Sequence, residues 1–492
     1  EANKTLTVSN KRPIFKRMTG HDYYNISQFD FEKLMDDSNA IEANLRDYIN
    51  GFSEDVREIM DNFEIFGVID KLSRANLLYL VVQRFSEIDM SDTQIDNLEM
   101  GYMFEELIRR FSEQSNETAG EHFTPREVIE LMVEVLLDPD MDEISTTDGK
   151  VITILDPACG TGGMLSVAQN KMQALNATTR VIPFGQELNP ETYATCCSDM
   201  ILKGNTNSRI VLGNSFNEDG FQGQTFDYML SNPPFGVDWK KVEKFIKDEA
   251  KNKGYSGRFG AGLPRISDGS FLFLQHLFSK MNAPENGGSR IGIVFNGSPM
   301  FSGDAGSGES EIRRWIIEND LLEAIIGLPD QLFYNTGITT YIWILTNRKE
   351  NRRKGKVRLI NGAGFYEKMR KGLGNKRNMV SSENRAEIVR LYSTYELDEN
   401  YMDLDNDDFG YRKIVVESPL LNEDGTPVTD RKGSKKADVS LRDYEIVPLK
   451  EDVHEYFRRE VLPFVPNAWI DESKTKIGYE IPFTRYFYKF TP

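Results

Sequence analysis

Asn232-Pro233-Pro234-Phe235 is the stretch whose residue types point most directly to chemistry. It follows Phe226-Asp227-Tyr228-Met229-Leu230, a short apolar run that reads as a buried strand. A polar amide, two prolines and an aromatic ring therefore stand where a strand stops, on the rim where open α/β folds place their ligands. The prolines force extended geometry on the residues before them and remove two backbone donors, so carbonyls at the turn are free to accept. Asn232 adds an amide oxygen, a further acceptor. Two rigid acceptors beside a π-face suit a planar group bearing an amino substituent, such as the exocyclic amine of a nucleobase. With its hydrogens held by the Asn232 amide and the Pro233 carbonyl, the amine lone pair leaves conjugation with the ring. It can then attack an electrophile in line while Phe235 stacks on the base. The string alone does not name the acceptor, because a base amine and a side-chain amide both fit it.

A second group of residues would serve a cofactor. Val151-Ile152-Thr153-Ile154-Leu155 reads as a strand, followed by Asp156-Pro157-Ala158-Cys159-Gly160-Thr161-Gly162-Gly163 and an apolar helix from Met164. Strand, Gly-rich turn and helix make a nucleotide-cofactor loop, with Gly160 and Gly162 allowing a tight turn and close backbone approach. The string is not G-x-G-x-x-G, which weakens a nicotinamide reading. A second strand ends Phe184-Gly185-Gln186-Glu187, and an acid there can accept both hydroxyls of a ribose. Loop and acid together indicate an adenosine-containing cofactor. Ile210-Val211-Leu212 brings Asn214 to the same rim, where it either reaches an adenine edge or closes a turn. Ahead of these lies Glu121-His122-Phe123-Thr124-Pro125-Arg126-Glu127. Thr124 as N-cap, Pro125 at N1 and Glu127 at N3 spell a capping box, and helix N-termini bind carboxylates and phosphates. His122 reads as a packed or surface residue.

The elements that must position these groups follow from periodicity. Residues up to about Gly120 are helical, with Ile41–Ile49 and Asn76–Val82 carrying apolar residues at helical intervals, and Phe104, Leu107, Ile108 and Phe111 repeating the period. Ser112 to Gly120 is a polar link. A helix is expected over Pro190–Leu202, and the alternation of strands and helices predicts an α/β, doubly wound, mostly parallel sheet. The expected layout is a helical domain over 1–117, a catalytic domain over 118–397 and a mixed α/β region over 398–492. Asp398 to Asp408 is acidic and loop-like, and Thr426 to Ala437, polar with clustered Lys and Arg, resembles a mobile hairpin or a linker.

The chain has 492 residues and a net charge of −18, the reverse of what a protein gripping DNA by itself shows. Local basic patches, a basic partner, or both would be required. Twelve Lys or Arg between Arg348 and Arg377 stand against Glu350 and Glu367, and a second basic stretch runs from Lys240 to Arg265. The tract between Arg348 and Arg377 reads either as a solvated face or as a DNA-backbone contact. No apolar run approaches the roughly 18 residues needed to span a bilayer. Beginning at Glu1 without Met or an apolar leader, the chain shows no signal peptide, and its true start is expected upstream or processed away. Cys159, Cys196 and Cys197 cannot build a disulfide framework, and no His stands near a Cys at ligand spacing, so no metal site is expected. A cytoplasmic setting fits this.

The Gly loop followed by Asn232-Pro-Pro-Phe235 resembles the DNA amino-methyltransferases that use S-adenosyl-L-methionine. With Phe123-Thr124-Pro125 ahead of the loop, the order resembles their γ-type arrangement. The combination of Glu121 to Arg126, Asp156 to Gly163 and Asn232 to Phe235 is similar to the methylation (M) subunit of type I restriction-modification systems, and Ser267–His276, Ile291–Asn296 and Ile326–Pro329 extend the match. The resemblance implies a Rossmann-like methyltransferase fold with a helical N-terminal domain. It implies that Glu121, His122, Phe123, Thr124, Pro125 and Arg126 hold the methionine end of the cofactor, lined by Asp156, Pro157, Gly160, Thr161, Gly162 and Gly163. Glu187 would take the ribose, and Asn232, Pro233, Pro234 and Phe235 would hold a flipped adenine. The implied partners are DNA, a specificity (S) subunit and a second M subunit, with a restriction (R) subunit as a further one. The relatives' C-terminal helix, which docks the specificity subunit, is expected beyond Pro492. The rival readings are a protein-glutamine or RNA methyltransferase sharing the Asn-Pro-Pro-Phe pocket, and a non-catalytic assembly scaffold.

Overall fold

The computed structural model describes residues 23–88 and 124–487, apart from 206, 335, 431 and 432, with single helical positions at 14, 15, 17, 103, 106 and 107. It divides into two compact units, Glu1–Glu117 with Glu143–Gln222, and Thr118–Asp142 with Gly223–Pro492. Among the described residues no helix is long and apolar enough to cross a membrane.

The first unit opens with helices α1 (Ile41–Asn50), α2 (Glu54–Asn62), α3 (Ile65–Arg74) and α4 (Leu78–Ser86). Ile41, Ile49, Ile69, Leu78 and Val82 recur at helical spacing and form one buried cluster with Leu34. The helix expected from Asn76 starts at Leu78, because Asn76 takes a left-handed conformation (φ 54°) that ends α3. The Phe104 to Phe111 period and the 112–120 link lie outside the described residues, apart from single helical positions. Helix α5 (Arg126–Leu137) belongs to the second unit.

The first unit continues with β1 (Val151–Asp156), α6 (Gly163–Leu175), β2 (Arg180–Glu187), α7 (Pro190–Leu202) and β3 (Arg209–Leu212). The strands are parallel, with Asp156 opposite Gly185 and Glu187 opposite Leu212, so all three end on the same edge. Asn189 caps α7 by accepting from the Glu191 and Thr192 amides (2.9 and 3.1 Å), and Pro190 supplies the preset first turn. Tyr193 of α7 donates to Glu58 of α2 (3.2 Å), tying the helical layer to the strand layer within this unit.

The second unit holds β4 (Tyr228–Ser231), α8 (Glu243–Lys253), α9 (Ser270–Phe278), β5 (Arg290–Asn296), α10 (Gly308–Glu318), β6 (Leu322–Gly327), β7 (Thr340–Thr346) and β8 (Lys356–Asn361). A ribbon of β9 (Glu367–Leu373) and β10 (Lys376–Met379) follows, then α11 (Ser382–Ser393) and β11 (Tyr401–Asp405). β4 runs parallel to β5 and β6 to β8, while β7 is wedged antiparallel between β5 and β6. β6 and β7 are buried along their whole length, as near-continuous apolar strands covered on both faces must be. The acidic stretch from Asp398 begins with a turn at 399–400 but is a strand over 401–405. Arg358 of β8 reaches Asp403 with two 2.7 Å contacts and lies 4.0 Å from the Tyr401 ring centroid, which makes 401–405 an antiparallel strand on β8. Beyond it, β12 (Gly410–Glu417) pairs antiparallel with β13 (Asp443–Pro448), β14 (Trp469–Ile470) and β15 (Lys476–Tyr479) around Ile414, Val416 and Val447. Isolated antiparallel bridges join Pro419 to Ala437 and Thr429 to Lys435, so of the two readings of that polar stretch the path is that of a hairpin.

Candidate functional site

In the first unit the turn after β1 is built by its own polar atoms. Asp156, 2% exposed, accepts from the Ala158 amide (3.0 Å) and bends the chain out of the strand. The Cys159 amide donates to the Gln186 carbonyl (3.0 Å), and Gly162 donates back to Cys159 (2.8 Å), so the loop is stitched to β2. The Ser215 hydroxyl donates to the Pro157 carbonyl (2.5 Å). Gly160 and Gly162 both have positive φ, 54° and 83°, a region costly to side chains. A Cβ on Gly162 would come within 2.7 Å of the Cys196 sulfur, whereas one on Gly160 would meet nothing within 4 Å. Thr161 and Gly163 complete the loop, and α6 begins after Gly162 without a side-chain cap, leaving its first amides for another acceptor.

Glu187 closes this arrangement. Its Oε2 accepts from the Gly160 amide (2.9 Å) and its Oε1 from the Asn189 amide (2.8 Å), so the carboxylate is oriented by the loop itself. Burial pushes this carboxyl above its ordinary value, and the backbone amides partly counter that. Asn214 closes a turn: its side-chain oxygen accepts from the Phe216 amide (2.9 Å) and its own amide donates to Glu218 (3.2 Å). Cys159 is 6% exposed with its sulfur 4.0 Å from that of Cys196; this contact and burial hold the thiol well above its usual range, the setting of a packed residue and not of a nucleophile.

In the second unit β4, buried throughout, delivers Asn232 to its end. The Asn232 Nδ2 donates to the Thr124 hydroxyl (2.8 Å). Its Oδ1 is buried and has no hydrogen-bond partner among the described residues. The amide is thus anchored at one end and presents at the other a buried acceptor unpaired among the described residues. Pro233 is buried, Pro234 half-buried, and Phe235 is 8% exposed.

The capping box read at Thr124 is not formed. Pro125 occupies the N-cap position without a side-chain cap, and the Thr124 hydroxyl accepts from Asn232 instead. Glu127 turns instead to the buried ammonium of Lys376, and Arg126 lies along its own helix against Glu130 (3.2 Å). Glu121, His122 and Phe123 lie outside the described residues. Thr124, Pro125 and Arg126 fall with the Asn232 turn in the second unit, while Asp156, Pro157, Gly160, Thr161, Gly162, Gly163, Glu187 and Asn214 gather in the first. Sequence reasoning missed Thr124 as the anchor of Asn232 and Lys376 as the partner of Glu127; no local signal marks either. Among the described residues no group of His, Cys, Asp and Glu is placed to hold a metal.

Comparison with known proteins bears on the family and the fold. The model of the family described as N-6 DNA Methylase matches residues 95–416, and that of the HsdM N-terminal domain matches residues 3–85. The MjaIX type I restriction enzyme methylase subunit of Methanocaldococcus jannaschii is 28% identical over 68% of this chain and 56% of its own length. The MjaVIII type I restriction enzyme methylase subunit of the same organism is 26% identical over 91% of this chain and 72% of its own length. The chain thus spans little over half the length of some of the curated relatives it matches. Among solved structures, the type I restriction-modification system methyltransferase subunit from Streptococcus thermophilus superposes with a TM-score of 0.65 at 23% identity, covering 82% of each chain. That likeness shows the fold: a Rossmann-like α/β methyltransferase fold with a helical N-terminal region.

Proposed function

This chain belongs to the N-6 DNA methylase family, and from that premise we propose that it transfers a methyl group from S-adenosyl-L-methionine to adenine N6 in double-stranded DNA, as the modification subunit of a type I restriction-modification complex. The observation that supports this best is the Asn232 amide. A buried acceptor left unpaired costs about 1–3 kcal/mol, recovered only when a donor arrives. The adenine amine brings two N–H donors; the Asn232 oxygen takes one and the Pro233 carbonyl the other. Thr124 anchors the amide: with its hydroxyl accepting from Nδ2, Oδ1 is left for the substrate.

The loop suits an adenosine cofactor by its own features: open space over Gly160, uncapped amides at the start of α6, and a part-buried carboxylate at Glu187. Glu187 would accept from the ribose hydroxyls, and residues 156–163 would hold the rest of the cofactor. Bound S-adenosyl-L-methionine supplies a methyl group activated by its sulfonium. The groups at the Asn232 turn are amide and carbonyl oxygens, which stabilise positive charge growing on the amine without removing its proton. The proton therefore departs after transfer. The target base must leave the duplex stack first. With Phe235 8% exposed, its ring meets that base only after a local shift of the turn.

In this reading residues 1–117, 118–397 and 398–492 serve as helical, catalytic and partner-docking regions in the cytoplasm. A specificity subunit reads the DNA sequence, a second M subunit joins it, and a restriction subunit completes the assembly. At −18 the chain leaves much of the DNA grip to a partner. The test is transfer of labelled methyl from S-adenosyl-L-methionine to DNA, RNA and protein, with and without co-purified partner subunits. Incorporation at adenine in duplex DNA, raised by the partner, is expected; incorporation only into protein or RNA overturns the reading.

A further inference from the structure

Two groups stand out in the basic tract between Arg348 and Arg377, apart from Lys354, which is exposed, lies off the ribbon and has no ion pair with any described residue. One group is consumed within the second unit. Arg348 pairs with Asp140 and Lys349 with Asp320 (2.6 Å each), Arg358 pairs with Asp403 (2.7 Å), and buried Arg353 donates to the Tyr392 carbonyl (2.6 Å). The other group stands on the β9–β10 ribbon. Lys368, Arg370 and Lys371 are exposed along β9 and have no ion pair with any described residue. In a chain with a large surplus of acids, cations left without a counter-charge are set apart from Arg348, Lys349, Arg353 and Arg358, each of which has found a partner.

The ribbon's root is held firmly while its strands carry these charges outward. Lys376, 3% exposed, donates to the Leu332 and Asn378 carbonyls (2.9 and 3.0 Å) and pairs with Glu127. The Asn378 amide donates to the Asp330 carbonyl (3.0 Å), and the Asn375 backbone amide to that of Tyr334 (2.6 Å). Glu127 lies one turn into α5 from Thr124, whose hydroxyl anchors Asn232. Two polar contacts, joined by the backbone between Thr124 and Glu127, therefore link the acceptor amide to the ribbon within one unit.

From this geometry we infer that the β9–β10 ribbon is a contact surface for the phosphate backbone of duplex DNA, set in register with the Asn232 turn through Glu127 and Lys376. The inference rests on the proposed function and locates its substrate on the surface. A two-stranded ribbon is narrow enough to follow a groove, and Lys368 and Arg370, two residues apart, share one of its faces.

The test compares the full chain, assembled with its partner subunits, with its Lys368→Ala/Arg370→Ala/Lys371→Ala variant. Binding of a labelled duplex is titrated at several salt concentrations, with S-adenosyl-L-methionine calorimetry and thermal melting in parallel. Each phosphate that the variant no longer neutralises should reduce the slope of log K against log salt by about 0.9, up to about 2.7 for all three. The duplex Kd should weaken about tenfold or more near 0.1 M salt, with KM for DNA rising and cofactor affinity and Tm unchanged. An unchanged slope in a complex whose wild type methylates DNA overturns the ribbon's role and leaves the functional reading standing. A wild-type complex that methylates no DNA overturns both.

Discussion

Replacing Asn232 by Ala separates stability from activity, and the structure sets both magnitudes. The substitution removes the 2.8 Å hydrogen bond from Nδ2 to Thr124, worth about 1 kcal/mol net. It also deletes Oδ1, a buried acceptor whose missing partner costs about 1–3 kcal/mol. The two offset, so the variant should unfold within about 1 kcal/mol of wild type. Catalysis has no such compensation. Loss of a preorganised group that stabilises charge in the transition state costs about 3 kcal/mol or more, hence about two orders of magnitude or more in kcat. Thr124→Val should cost about tenfold, because Nδ2 loses its anchor and the amide can turn over; Thr124→Ser, which keeps the hydroxyl, should restore the rate. Single-turnover transfer of labelled methyl gives the chemical step, urea unfolding the stability and calorimetry the cofactor affinity. The reasoning is refuted if Asn232→Ala transfers methyl within a few-fold of wild type. It is equally refuted if stability and cofactor affinity fall in proportion to activity, since the turn would then be structural.

Glu187→Ala should weaken S-adenosyl-L-methionine at least about tenfold by calorimetry, because charge-assisted bonds to the ribose contribute about 1.5–3 kcal/mol each; an unchanged Kd places the ribose elsewhere. Gly160→Ala and Gly162→Ala both put a side chain at positive φ, costing about 1–2 kcal/mol. Gly162→Ala should lower Tm further, since its Cβ meets the Cys196 sulfur at 2.7 Å, while Gly160→Ala should mainly weaken cofactor binding by filling open space; equal effects on both readouts would count against a cradle over Gly160. Burial alone would raise the Asp140 carboxyl, but two Arg348 hydrogen bonds (2.7 and 2.6 Å) hold it below its ordinary value. A depressed carboxyl contributes stability above its unfolded pKa of about 3.9 and loses it as pH falls through the folded value. Arg348→Ala should therefore destabilise at neutral pH by about 1–3 kcal/mol, less than a fully buried pair because Arg348 is 27% exposed. Urea unfolding should show that gap closing in acid, and a gap constant with pH would exclude the pair as its cause.

The strand and loop order was legible from residues alone because its signals are local. The helix expected over Pro190–Leu202 has those bounds in the structure, since Asn189 and Pro190 state its start within one turn. Asp156, Glu187 and Asn232 end their strands or follow them directly, as the apolar runs before them imply. What only the tertiary structure decided is which partner each polar side chain takes. Thr124 spells a cap, yet its single hydroxyl is claimed by Asn232, 108 residues away, and Glu127 is drawn to Lys376. Residues 401–405 look like an acidic loop until Arg358 supplies the charge that makes them a strand. The basic tract reads as one patch, but Asp140, Asp320 and Asp403 neutralise Arg348, Lys349 and Arg358, while Lys368, Arg370 and Lys371 of the ribbon have no ion pair among the described residues. Periodicity and capping report the local preferences of the backbone. A polar group, by contrast, satisfies only the few hydrogen bonds its atoms allow, and partners distant along the chain compete for them only once the fold has brought them together.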